Sequence, residues 1–275
     1  EFKKRMESYR RHPGSFLLFL LVMLSALTTF VVLLFLIAYI LIKGVPNLKP
    51  SLFAWKYTTD NASMLPSIIN TLIMTVMSLL LAVPFGTFSA IYLTEYAKKG
   101  NKLVGIIRLT TETLSGIPSI VYGLFGSLFF VTYLKWSYSL AAGALTLAIM
   151  ILPLVMRTTE EALKSVPDMY REGSFGLGAG KLRTVFCVVL PSAIPGILSG
   201  VILSIGRIVG ETAALIYTAG SIPQIPSSIM GSGATLAVHM YNLSKEGLYT
   251  DQAYAVAVVL LLLVLLQIHN EAQYP

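Results

Sequence analysis

Arg207 stands in the apolar stretch from about Val188 to Thr218, and Glu211 follows it by four residues. In a continuous helix that spacing puts a guanidinium and a carboxylate on one face. A charged side chain at mid-membrane costs about 2.5–3.5 kcal/mol even on the lenient insertion scale, so it turns to a partner, a cavity or a pathway. The planar fork of an arginine donates two bonds to a carboxylate or to a tetrahedral oxyanion. The pair therefore reads either as a lock between helices or as an anion site in which the ligand competes with Glu211 for Arg207. Arg157, at the end of another apolar stretch, is a second candidate for the same chemistry, with an interfacial anchor as the alternative. Arg108 and Glu112 are also four apart and read as a structural pair near the interface.

Other chemistries lack their residues. A phosphate-cradling nucleotide loop needs G-x-x-x-x-G-K-[ST]. Here Gly180-Lys181 is followed by Leu182, and Phe175 stands where the first glycine belongs. His12, His239 and His269 are far apart and lack metal-ligand spacing. Cys187, alone in the chain, excludes an internal disulfide and reads as a packing residue. No catalytic residue, metal site or bound cofactor is assigned.

The elements that position these residues are long and apolar. Of 275 residues, 55% are hydrophobic and 12% charged, about half the charge of a soluble domain. A hydrocarbon core of about 30 Å takes roughly 20 apolar helical residues to cross. Six stretches qualify, at about Phe16–Ile42, Ile68–Leu93, Leu103–Tyr133, Tyr138–Met156, Val188–Thr218 and Tyr249–Ile268. The third is interrupted by Gly116, Pro118, Gly123 and Gly126. The runs are too long and continuous for barrel strands. The expected fold is an all-α membrane protein with six transmembrane helices. Its parts are an N-terminal segment (1–15), an anchor helix (16–43) and a five-helix core (67–268) that includes a long connection (158–187). The anchor is too long for a signal-peptide core and lacks a small-residue cleavage site, so it is expected to be retained. The connection from Gly220 to Leu248, with Pro223, Pro226, Gly231 and Gly233, suits a gate or a docking surface.

The charges follow the same topology. The net charge is +7. Lys3, Lys4, Arg5, Arg10, Arg11, Lys98, Lys99, Lys102, Arg108, Arg157, Lys164, Arg171, Lys181 and Arg183 fall on one side of the six-span plan. Lys43, Lys49, Lys56, Lys135 and Lys245 fall on the other. The positive-inside rule then places both termini in the cytoplasm. This accounts for the basic surplus without nucleic acid and leaves membrane lipid as the surrounding partner.

The connection 158–187 reads as structured. Glu160 to Val166 suits a short helix stopped by Pro167, and Asp168 suits the cap of a second helix running to Leu177. Gly178 and Gly180 permit a sharp turn before a third segment, Lys181 to Val189. Within it, Glu172-Gly173-Ser174 is followed by three residues and Gly178, then by nine residues and Val188, Val189, Leu190 and Pro191. This spacing resembles the signature of ABC importer permeases: Glu-Ala-Ala, three residues, Gly, nine residues, an aliphatic, one residue, Leu-Pro. Gly173 and Ser174 replace the two alanines, which weakens that helix by about 1 kcal/mol without altering the register. Three further segments, Arg157 to Pro167, Arg207 to Ala219 and Gly116 to Phe125, resemble the PstA-type phosphate permeases. So does His239-Met-Tyr-Asn242 before a final aliphatic span. The likeness runs from Pro46 to Leu266.

The resemblance implies a type I ABC importer permease bundle in a bacterial or archaeal inner membrane, with a cytoplasmic coupling helix. Glu172, Gly178, Leu190 and Pro191 would shape the joint with a separate ATPase. Arg207, Glu211 and Arg157 would lie along the substrate pathway. ATP and Mg are expected in a PstB-like ATPase homodimer, not in this chain. The other implied partners are a second, PstC-like permease and a PstS-like extracytoplasmic phosphate-binding protein. The alternatives are a permease for sulfate, molybdate or phosphonate, an autonomous channel, or an intramembrane enzyme.

Overall fold

The computed structural model describes residues 13–98, 100–247 and 249–272. Lys3, Lys4, Arg5, Arg10, Arg11, His12 and Lys99 lie outside the described residues. Every regular element among those described is helical. Helix α1 spans Pro13–Gly44, and two 3₁₀ turns, Val45–Asn47 and Pro50–Phe53, lead from it towards α2, Leu65–Ile91. A wide π turn, Tyr92–Tyr96, ends α2. Helix α3 is Lys102–Ser115; α4 is Ser119–Gly126, prolonged by a second π segment, Ser127–Tyr133. Helix α5, Leu140–Ser165, precedes two short helices, α6 (Asp168–Gly176) and α7 (Lys181–Thr184). A third π turn, Val185–Val189, feeds α8, Leu190–Val209. The chain finishes with α9 (Ala213–Ile216), α10 (Leu236–Glu246) and α11 (Thr250–Ala272).

Four helical stretches are long and apolar enough to cross a membrane as single spans: Gly14–Asn47, Leu65–Tyr96, Leu140–Ser165 and Lys181–Val209. The third expected span differs from a continuous helix, because Lys102–Ser115 and Ser119–Tyr133 meet at a bend of 100°. Proline has no N–H and holds the residue before it out of the helical region, so Ile117-Pro118 ends α3 and begins α4. Counted as one span, this pair is the fifth. The last apolar segment, Thr250–Leu266, is shorter than the other spans, and its rise of about 25 Å falls below the roughly 30 Å core. The expected fifth span also stops early, at Val209, not at Thr218.

The bundle is built around α5. Two thirds of the apolar window of α5 is buried inside the protein, and none of that of α1. Helices α2 and α8 pack on α5. Met74, Leu147, Met150, Ile151, Ile208 and Leu215 form the central cluster. A second cluster, with Leu163, Val166, Val185 and Val189, sits where α5 meets the start of α8. Small residues let these helices close in, as in membrane bundles generally. A Cβ on Gly123 of α4 would lie 2.6 Å from the Cα of Ala214 in α9. Ser78 bridges α2 and α5 by donating to the carbonyls of Met74 (2.7 Å) and Ala144 (3.0 Å).

The end opposite the basic residues is tied by polar side chains. Asn70 Nδ2 donates to the carbonyls of Gln224 (2.8 Å) and Ala234 (3.1 Å), and Thr71 Oγ1 accepts from the Leu236 amide (2.9 Å). The segment between α9 and α10 is thereby held on the start of α2. His239 is 1% exposed in α10, 3.3 Å from the Ala62 carbonyl and edge-on to Tyr57.

Two outcomes follow. Gly123→Val is expected to destabilise the purified protein by about 1–3 kcal/mol, because the neighbouring atom is backbone and cannot swing away; thermal unfolding in detergent checks this. Burial pushes the His239 imidazole below its ordinary pKa, partly offset by its bond to the Ala62 carbonyl. The unfolded chain then binds the proton more readily, so stability is full above about pH 6.5 and is lost as pH falls below it. The melting temperature should drop between about pH 7 and pH 5, and the drop should shrink in His239→Gln.

Candidate functional site

Arg207 occupies the last turn of α8 and is half-buried. No hydrogen bond or ion pair reaches it among the described residues, although its charge acts on the Tyr122 hydroxyl, one turn into α4. Tyr122 itself donates to the Leu114 carbonyl across the α3–α4 bend (2.8 Å). The expected pairing of Arg207 with Glu211 is not formed. Helix α8 ends at Val209 with Gly210 as its cap, so the i, i+4 rule no longer relates the two positions. Glu211, 8% exposed, turns instead to α9 and accepts from the Ala214 amide at 3.0 Å. Its carboxylate satisfies one of the amides left free at a helix start.

At the basic end of the bundle, Glu160 and Glu161 of α5 take cationic partners. Arg157 Nε lies 3.0 Å from Glu161 Oε1, with both side chains about 60% exposed (60% and 63%). Arg157 lines a cavity of about 230 Å³ together with Arg108, Glu112, Glu160 and Lys164. Arg207 is not among the residues that line this cavity. The expected Arg108–Glu112 pair is replaced. Arg108 Nη2 reaches Glu160 Oε1 on α5 (2.8 Å), and Lys164 Nζ reaches the same oxygen (2.6 Å). A partner across the helix interface, with its side chain only 13% exposed, wins over a solvated neighbour on the same helix because screening is weaker there.

The connection 158–187 forms an elbow. Its first part belongs to α5, which runs on to Ser165 without the separate short helix expected for Glu160–Val166. Asp168 is the first residue of α6 and not its cap, which is Pro167. Gly178 makes the turn at φ +82° and carries the left-handed backbone that glycine permits, whereas Gly180 is extended. Ser174 Oγ meets Thr184 Oγ1 at 2.8 Å and fastens α6 to α7. Glu172 is exposed, and beside it Met169, Tyr170, Phe175 and Leu177 present apolar surface, Leu177 at 91% exposure. Pro191, with no N–H to offer the Cys187 carbonyl, follows the π turn Val185–Val189 that opens α8, and Leu190 begins α8 half-buried.

One cluster escaped the sequence reading. Arg171, 15% exposed, packs its guanidinium against Glu95, 8% exposed, in the π turn after α2 (Nη2–Oε1 2.7 Å, Nε–Oε1 3.2 Å). It also donates to the carbonyls of Val166 (2.8 Å) and Leu163 (2.9 Å) and to Asp168 Oδ1 (3.2 Å). The Asp168–Arg171 spacing was visible as a helical i, i+3 pair. Glu95, 76 positions away, left no local signal. Among the described residues no three His, Cys, Asp or Glu side chains converge as a metal site.

The comparisons with known proteins bear on this geometry. Residues 82–270 match the family described as "Binding-protein-dependent transport system inner membrane component". Over 231 residues the chain is 37% identical to a probable ABC transporter permease protein, YqgI, of Bacillus subtilis (strain 168), covering 78% of each chain. Over 228 residues it is 37% identical to the phosphate transport system permease protein PstA of Pasteurella multocida (strain Pm70), covering 82% of this chain and 81% of that one. Among solved structures, a bacterial ABC transporter involved in alginate import superposes with a TM-score of 0.63 at 15% identity, covering 98% of this chain and 99% of that one. An inward-facing MetNI methionine ABC transporter gives 0.59 at 21% identity, over 76% and 90%. Those structures share the fold of this bundle.

The separation of Arg207 from Glu211 has a measurable consequence. Glu211→Ala should cost about 0.5–2 kcal/mol through the lost cap. In a double-mutant cycle with Arg207→Ala, unfolding in detergent should give a coupling below about 0.5 kcal/mol. A coupling well above that would reinstate the direct pair.

Proposed function

We infer that this chain, which belongs to the family of inner membrane components of binding-protein-dependent transport systems, forms half of the translocation pathway of an ATP-driven phosphate importer. Family membership supplies the transport class, and relatives named as phosphate permeases support the substrate. The observation that carries the anion reading is Arg207. It is a half-buried guanidinium in the bundle with no carboxylate on it among the described residues. A group that presents two parallel donors and a fixed charge can offset the desolvation of a tetrahedral oxyanion. The nearest carboxylate along the chain, Glu211, is committed to capping α9. The anion then meets an available cation and does not have to displace a partner, while weak holding keeps release possible. Arg157 stands at the basic end as a second station, paired with exposed Glu161.

The basic end faces the cytoplasm in this reading, by the positive-inside rule. The elbow α6–α7 is the coupling element. Its exposed Glu172 and the apolar surface around Leu177 face the ATPase, Gly178 sets the turn, and Leu190 and Pro191 pass the movement into α8. ATP and Mg belong to a PstB-like ATPase pair, and no nucleotide chemistry occurs in this chain. A PstC-like permease completes the pathway, and a PstS-like binding protein delivers phosphate to the other end. ATP closes the ATPase pair, the elbow moves as a body, and the permease pair changes the side to which it opens.

Radiolabelled phosphate uptake by proteoliposomes holding the assembled complex tests this. Uptake should require ATP on the ATPase side and resist a hundredfold excess of sulfate. Arg207→Lys, which keeps the charge but loses the fork, should lower uptake by about 10-fold or more, the scale of one bidentate contact. Uptake by Arg207→Lys equal to that of the original chain removes the bidentate role. An active ATPase complex that carries sulfate and not phosphate moves the assignment to another oxyanion.

A further inference from the structure

A coupling helix moves spans only if it is stiffly joined to them, and the chain itself joins α6 poorly. On one side Val166 and Pro167 are extended residues (ψ 123° and 138°) between α5 and α6. On the other side Gly178 turns the chain at positive φ before α7. Both connections would bend under load. The side chain of Arg171 spans the first of them. Its Nη1 donates to the Val166 carbonyl and to Asp168, its Nη2 to the Leu163 carbonyl and to Glu95, and its Nε to Glu95. All five guanidinium donors are thereby used.

The acceptors come from three elements. Leu163 and Val166 lie at the end of α5, where the last carbonyls of a helix lack partners within the helix. Glu95 belongs to the π turn that ends α2. Asp168 opens α6 itself. A lysine has three donors on one nitrogen and cannot reach these directions together. The neighbouring residue, Glu172, is exposed. So α6 holds the spans with one residue and offers the next to a partner.

We propose that Arg171 is a positioning residue that, through Glu95 and the final carbonyls of α5, locks the α6 helix to the ends of α2 and α5, so that ATP-driven movement of α6 displaces the spans and does not bend the elbow. The proposal rests on the reading of α6 as the contact with the ATPase. Helices α2 and α5 pack on each other at the centre of the bundle, so a rigid link to both delivers the movement to the pathway. Loss of the link uncouples transport from hydrolysis.

The test uses the complete complex in proteoliposomes, with phosphate uptake and ATP hydrolysis measured on the same vesicles. In Glu95→Gln the ATPase should stay bound and hydrolysis should continue, while phosphate carried per ATP falls at least tenfold. Arg171→Lys should behave alike, and the double variant should be no worse than either single one, since the pair acts as a unit. A chain with Cys187→Ala, Glu95→Cys and Arg171→Cys is then joined by a short bis-methanethiosulfonate. The covalent tether should recover most of the transport per ATP, and a reducing agent should abolish the recovery. Transport per ATP unchanged in Glu95→Gln and Arg171→Lys overturns the proposal, as does a loss that the tether does not recover. The coupling reading fails separately, and takes the proposal with it, if Leu177→Glu leaves the ATPase fully bound and transport intact.

Discussion

A helix that ends inside or against a membrane leaves backbone groups that lipid cannot satisfy, and the protein must supply the partners itself. This chain interrupts its helices repeatedly, and polar side chains sit at those interruptions. Arg171 takes up the last carbonyls of α5. Glu211 receives an amide at the start of α9. Tyr122 spends its hydroxyl on the Leu114 carbonyl where α3 breaks from α4. Asn70 and Thr71 hold the chain between α9 and α10. The polar residues of the bundle are thus placed first by the needs of the backbone.

The same requirement explains what was legible in the residues and what was not. Long apolar runs can only be helices in lipid, so the all-helical bundle and most of its spans were readable. The elbow was readable too, because Pro167 and Gly178 act on their immediate neighbours. Local pairing rules failed where the helix did not continue. Arg207 and Glu211 are four apart in number but are divided by the end of α8. Arg108 and Glu112 do share a helix, yet Arg108 prefers the sheltered Glu160 of α5. Contacts such as Glu95 with Arg171 depend on how α2 packs on α5, and a single sequence carries no record of that register. The bend at Ile117-Pro118 was marked by its residues, but local sequence does not give its 100° angle, nor the close approach of Gly123 to Ala214 in α9.

The departures from the permease signature also have local causes. Gly173 lies on the exposed side of α6, where an added Cβ would meet nothing within 4 Å, so alanine would gain little packing there. Ser174, the next residue, is half-buried and bonds Thr184. A hydroxyl that fastens α6 to α7 offsets the helix propensity lost by not having alanine. The helix is thus held less by its own propensity and more by Ser174 and Arg171.

Arg171 and Arg207 show how one residue type serves opposed ends. Arg171 has every donor engaged and a carboxylate along its Nε/Nη2 edge. Replacing any acceptor leaves a largely buried cation short of a bond, which makes the cluster stiff. Arg207 is half-buried with no hydrogen bond or ion pair among the described residues. Had Glu211 stayed on the face of α8, the i, i+4 spacing would have set its carboxylate beside this guanidinium. By ending α8 two residues before Glu211, the chain carries the carboxylate to the start of α9, where it accepts from the Ala214 amide and does not pair with Arg207.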